Sequence, residues 1–196
     1  MNVKKICQVL EDGGLVISPT DTVYGIMGDA LNDDVIKKIY NVKKRSYTKP
    51  LILLMNSYEM IKEYTSNVNK FEKKAIKDLL PGCVTIILKK NNKVSNLITS
   101  NGEYVGIRIP DNKDLLSIIS QLGRPIVSTS ANISDKDIIT NINMLDNDLK
   151  NKIDYIEDGG EIKNISSTII RFVDGNLQIL REGKLVNKVK EIFDEK

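Results

Sequence analysis

The chain has 196 residues, 41% hydrophobic and 28% charged, and a globular domain of that length buries roughly 70% of its unfolded surface without disulfide or metal staples. It contains no histidine, which excludes Ser-His-Asp and Cys-His triads, zincin motifs and histidine-based pH switches. Net charge is +3, from 29 basic and 26 acidic residues, so the whole-molecule field selects no partner.

Cys7 and Cys83 lie too far apart for a CxxC redox pair or a cysteine zinc site. The expectation is two buried thiols in a reducing compartment, with one isolated disulfide as the alternative. No stretch reaches the ~18 apolar residues of a membrane span. The N-terminus MNVKKICQVLEDGG lacks a signal-peptide core. A cytoplasmic location with no membrane partner is therefore expected.

In chain order, residues 3–11 read as an amphipathic helix and Leu15–Ser18 as a buried strand. Asn32 or Asp33 caps a helix whose apolar positions are Val35, Ile36, Ile39, Tyr40 and Val42. Leu51–Met55 has strand length. Phe71, Ala75, Ile76, Leu79 and Leu80 mark a helix stopped by Pro81-Gly82. Cys83–Leu88 and Tyr104–Ile109 read as strands, Leu115–Leu122 as a helix ending at Gly123-Arg124-Pro125, and Ile126–Ser128 as a strand. A helix is expected near 141–150, then strands near 153–157, 167–173 and 176–181. The last two are joined by Asp174-Gly175-Asn176, a hairpin signal. Leu185–Phe193 forms a final helix. Helices interleaved with strands and hairpins give an α/β class with a mixed sheet. Nothing divides the chain, so one domain over 1–196 is expected.

Two asymmetries bear on function. Between Val35 and Tyr58 there is no acidic residue, yet Lys37, Lys38, Lys43, Lys44, Arg45 and Lys49 fall there. Such a segment is either a solvated helix face or an anion site. Only Arg45, Arg108, Arg124, Arg171 and Arg181 among the 29 basic residues are arginine, the residue suited to bidentate anion recognition. No P-loop and no GxGxxG turn is present. Instead, polar residues follow buried-looking strands at 18–25, 128–132 and 166–168, the places where α/β proteins hold ligands. Arg108 sits inside an apolar strand on the face shared with Gly106 and Pro110; an exposed edge and a polar cleft are both compatible with that spacing.

PTDTVYG at 19–25, KxR with KPL at 43–51, PGCVTIIL at 81–88, VGIRIP at 105–110, STSAN at 128–132, SSTII at 166–170 and ILREG at 179–183 together resemble the YrdC-like family, the threonylcarbamoyl-AMP synthases of the short type. The resemblance covers residues 5–185. It implies a twisted mixed β-sheet with flanking helices around a concave, positively charged cavity. The implied activity is condensation of L-threonine, bicarbonate (or CO2) and ATP into threonylcarbamoyl-AMP and pyrophosphate for tRNA modification, with Mg²⁺ accompanying ATP. Further partners would be tRNA and the proteins that transfer the threonylcarbamoyl group.

The resemblance assigns Lys43 and Arg45 as catalytic. It assigns Thr22, Arg108, Ser130 and Ser167 to L-threonine, and Arg45, Lys49, Asn132, Thr140 and Arg181 to ATP. It implies no protein-held metal. Leu54 departs from a histidine of some longer relatives, and Tyr104 from a small nucleotide-contacting residue. The second domain of longer relatives has no counterpart here, so the 133–150 segment or a partner is expected to cover the cavity. Two other readings remain beside the synthase: an RNA-binding protein on the same fold, and a paralogue without synthase activity.

Overall fold

A computed structural model describes residues 1–162 and 165–193. Helix α1 (Val3–Glu11) starts at Asn2, whose side chain accepts from the Lys5 amide, and buries Ile6, Cys7, Val9 and Leu10. Strands β1 (Val16–Ser18) and β2 (Gly25–Asp29) follow. Helix α2 (Asp33–Val42) is capped by Asn32, which accepts from the amides of Asp34 and Val35. Then come β3 (Ile52–Leu54), α3 (Tyr58–Tyr64) and α4 (Lys70–Leu79), the last opened by a reciprocal Asn69–Glu72 capping box. Strands β4 (Val84–Lys89) and β5 (Tyr104–Arg108) precede α5 (Lys113–Leu122), which stops at Gly123 with φ +65°. After β6 (Ile126–Ser130) lie a single 3₁₀ turn (Ile142–Met144) and the short α6 (Asn147–Lys150). Strands β7 (Tyr155–Ile156), β8 (Thr168–Val173) and β9 (Asn176–Arg181) and helix α7 (Val186–Phe193) complete the chain.

The strands form one sheet in the order β7-β1-β2-β6-β3-β5-β4-β8-β9. The pairs β1–β7, β3–β5 and β4–β8 are parallel and the rest antiparallel, so the sheet is mixed as expected. Three expectations need correction. Strand β2 is absent from the sequence reading because Gly25 and Gly28 break the apolar alternation; Gly28 is there for packing, since a Cβ would lie 2.4 Å from Val35 Cγ1 of α2. Helix α3 was also missed, although Ser57 caps it by accepting from the Met60 amide. The helix expected over 141–150 is broken between the 3₁₀ turn and α6, because Asp146 caps a new start by accepting from the Asp148 amide. Cys7 and Cys83 are buried free thiols. No helix among the described residues is long and apolar enough to cross a membrane.

The two faces of the sheet have different cover. On one face Ile26, Leu53, Ile86, Ile107 and Val127 pack against Val35 and Ile39 of α2 and Ala75 and Ile76 of α4. On the other, Met27, Leu54 and Ile126 pack against Ile6 and Leu10 of α1 and Leu115, Ile118 and Ile119 of α5. Helices α1 and α5 cover only part of this second face. Where they end, the register places Gly25 opposite Ser130 and Ile52 opposite both Ser128 and Gly106. That uncovered area, where Gly25, Gly106 and Ser128 leave room beside Ile52, is the floor of the candidate site.

Candidate functional site

A cavity of about 200 Å³ opens on the uncovered face. Its floor is Gly25, Ile52, Leu54 and Ser128, and its walls bring together Thr22, Arg45, Arg108, Ser130, Ser167 and Arg181 from six separate segments. The floor depends on missing bulk: a Cβ on Gly25 would lie 3.1 Å from Ser128 Oγ, and one on Gly106 would lie 3.0 Å from Ile52 Cγ2. Among the described residues, no carboxylate lines it.

Arg108 resolves the choice its spacing left open. Its side chain is 4% exposed and ion-paired with Asp21, itself 8% exposed. Its Nη2 donates to Asp21 Oδ1, its Nη1 to Thr22 Oγ1 at 2.9 Å and its Nε to the Gly82 carbonyl at 3.0 Å. Thr22 Oγ1 is also 2.9 Å from Thr20 Oγ1, which accepts from the Thr22 and Val23 amides. The PTDT turn is therefore a preformed polar scaffold against the end of β5.

Arg181 and Ser167 form a second unit. Arg181 donates from Nε and Nη2 to the Ser167 carbonyl at 3.0 and 2.9 Å, and from Nη2 to Ser167 Oγ at 3.0 Å. Ser167 Oγ is 2.9 Å from Thr85 Oγ1. Gly183 makes this docking feasible, because a Cβ there would fall 2.2 Å from the Ser166 carbonyl oxygen. Burial, and then the charge of Arg108, hold the Arg181 guanidinium below its usual pKa. Burial does the same to Arg45, which donates from Nε to the Lys49 carbonyl at 3.0 Å and from Nη2 to the Pro50 carbonyl at 2.9 Å.

Other residues singled out from the sequence lie elsewhere. Lys43 is 1% exposed and lies beneath the loop that leaves β6, its Nζ donating to the carbonyls of Ser130 and, at 2.6 Å, Asn132. Burial, with a smaller contribution from Arg45, lowers its pKa to about 7. Asn132 lies beside that ammonium; its Oδ1 accepts from Ser130 Oγ at 2.5 Å and its Nδ2 donates to the Lys136 carbonyl at 2.6 Å. Lys49 is paired with Asp135 at 2.7 Å, and Thr140 Oγ1 is 3.5 Å from Met144 Sδ. Lys43, Lys49, Asn132 and Thr140 do not line the cavity. From the 133–150 segment Ile138 does line it, and the segment is fastened to the KxR loop by the Lys49–Asp135 pair and by the Ser134 amide donating to the Lys43 carbonyl at 2.9 Å. Leu54 is on the floor, whereas Tyr104 is 55% exposed at the far end of β5.

Sequence reasoning placed Thr20, Asp21, Ser166 and Gly183 within its motifs without giving them individual roles, and it did not single out Thr85 or Ile138. Asp21 was visible as a carboxylate at a strand end, but its partner lies 87 residues away. The acid-free cationic segment also reads differently in three dimensions, because all six cations bond within the protein. Lys37 pairs with Asp34 and Lys44 with Asp148, Lys38 donates to the Gly13 carbonyl, and Lys43, Arg45 and Lys49 are committed as above.

Comparison with known proteins places the chain in a family. A Methanocaldococcus jannaschii protein provisionally named threonylcarbamoyl-AMP synthase is 39% identical over 187 residues, 92% of this chain and 86% of that one. The threonylcarbamoyl-AMP synthase of Bacillus subtilis is 32% identical over 95% of this chain and 54% of its own length. The crystal structure of Pyrococcus abyssi Sua5 complexed with L-threonine superposes with a TM-score of 0.92 at 31% identity, covering 98% of this chain and 57% of that one. This chain thus spans about half the length of the last two. The Sua5/YciO/YrdC model, described as telomere recombination, matches residues 8–183. The chain belongs to the Sua5/YciO/YrdC family.

Proposed function

We infer that this chain is a threonylcarbamoyl-AMP synthase, a nucleotidyltransferase that condenses L-threonine, bicarbonate or CO2, and ATP into threonylcarbamoyl-AMP and pyrophosphate for tRNA modification. The observation that carries this reading is the convergence of Arg45, Arg108 and Arg181 with Thr22, Ser130 and Ser167 on one cavity that no carboxylate among the described residues lines, in a chain whose relatives bear that name.

The chemistry needs no nucleophile or base from the protein. The threonine amine attacks CO2 as its free base and releases a proton to solvent, giving a carbamate. A carbamate oxygen then attacks the α-phosphorus of ATP, forming the new P–O bond as the bond to pyrophosphate breaks. Both reactants are anions, so the protein's task is to hold them together and to stabilise phosphoryl charge. Arg108 and Thr22 receive threonine on the PTDT side, with Ser130 and Ser167 flanking it. Arg45 and Arg181 face the phosphates. Lys43 shapes the β6 loop from below, and Lys49, Asn132 and Thr140 meet the nucleotide from the rim. Mg²⁺ accompanies the triphosphate as part of the substrate. The cytosol is the compartment this reading requires, with tRNA and the transfer proteins acting downstream.

The test is pyrophosphate release from ATP with L-threonine and bicarbonate each present or left out. Release that requires both is expected. Release independent of threonine, or none from folded protein, would return the chain to the RNA-binding or inactive-paralogue reading.

A further inference from the structure

We propose that Asp21 is a positioning residue for threonine, acting through Arg108 from outside the cavity; this rests on the synthase reading above. A guanidinium has five N–H groups. Arg108 commits one to the Gly82 carbonyl, one to Thr22 Oγ1 and one to Asp21 Oδ1, which leaves one N–H on each terminal nitrogen as the donors a substrate carboxylate can use. Asp21 does not line the cavity, while its ion-pair partner Arg108 does, so its influence on the substrate space runs through that pair.

The second oxygen of Asp21 fixes the carboxylate in turn. Oδ2 accepts from the Asp111 amide at 3.1 Å and from Cys83 Sγ at 3.4 Å. One side chain thereby joins the PTDT turn, the end of β5 and the turn before β4, the three segments whose relative placement aims Arg108. Its charge also balances one of the three cavity arginines. Without it, a buried cation would lack compensation and would draw the substrate carboxylate into a different position.

The experiment uses the full chain. Pyrophosphate release is measured with L-threonine varied at saturating ATP and bicarbonate, and with ATP varied at saturating threonine. Calorimetry measures binding of L-threonine alone. Asp21→Asn is expected to raise the threonine KM and Kd by about ten- to a hundredfold, the loss of one charge-assisted hydrogen bond, with the ATP KM unchanged. Asp21→Glu, which keeps the charge one methylene further out, should fall between. Asp29→Asn is the control. Its carboxylate also pairs with an arginine, Arg124, at 2.8 Å, and does not line the cavity, so it should lower the melting temperature and leave both KM values alone.

An unchanged threonine Kd in Asp21→Asn overturns the proposal, as does a parallel rise of both KM values. If Asp21→Asn does not fold, the same split in Asp21→Glu decides. A wild type that neither binds threonine nor releases pyrophosphate overturns the synthase reading and this proposal together. A wild type that does both, with a silent Asp21→Asn, overturns this proposal alone.

Discussion

The face of the sheet that carries the cavity is two surfaces built from the same strands. In β2, Met27 lies under α1 and α5, while Gly25, two residues earlier on the same face, opens into the cavity. In β6, Ile126 and Ser128 divide in the same way. Backbone register is continuous across the boundary, so side-chain volume and helix length separate core from site. Helices need bulk beneath them to exclude water. A substrate floor needs side chains small enough to leave room and polar enough to bond.

The sharpest way to break this division is to carry bulk across it. Gly25→Val would place methyl groups on the floor of a cavity of about 200 Å³. Threonine-dependent pyrophosphate release should fall about a hundredfold or more, since displacement of a reactant by about 1 Å costs that much. Stability should fall by about 1–3 kcal/mol from overpacking against Ser128. Retained turnover would mean that threonine does not bind here.

The reverse change tests the covered part. Ile126 is fully buried between the sheet and α1 and α5. Ile126→Ala should cost about 2–5 kcal/mol by leaving a cavity, read from urea unfolding, while the threonine KM stays at its wild-type value. A changed KM with little loss of stability would show that the two parts are not separate.

This division was only half legible in the sequence. Covered positions announce themselves by period: Ile6, Val9 and Leu10 of α1 and Leu115, Ile118 and Ile119 of α5 repeat at helical spacing. The uncovered part has no period of its own, because Gly25, Ser128 and Gly106 are defined by what they lack. The site was reachable mainly through the ordered motifs, which single out Arg45, Arg108, Ser130 and Arg181 without saying that they meet. Asp21 shows the limit most clearly. Nothing near PTDT in the chain marks its carboxylate as the partner of an arginine in β5, because register and sheet order create that contact.

Lys43 belongs to neither part, and its effect is read against pH. Its ammonium supports the β6 loop from below at the cost of burial, and its proton leaves the folded protein near pH 7, against 10.5 for an ordinary lysine. Below pH 7 both folded and unfolded chains hold that proton, and the burial penalty is fully present. Between pH 7 and about 10 the unfolded chain holds it and the folded chain does not, so this group makes stability rise with pH. Lys43→Met removes the titration. The stability difference between wild type and Lys43→Met, measured by urea unfolding at several pH values, should therefore shift in favour of the wild type from pH 7 to pH 10. A difference that stays constant across that window would mean that Lys43 remains charged on its carbonyl partners, and that hydrogen bonding to Ser130 and Asn132 outweighs burial there.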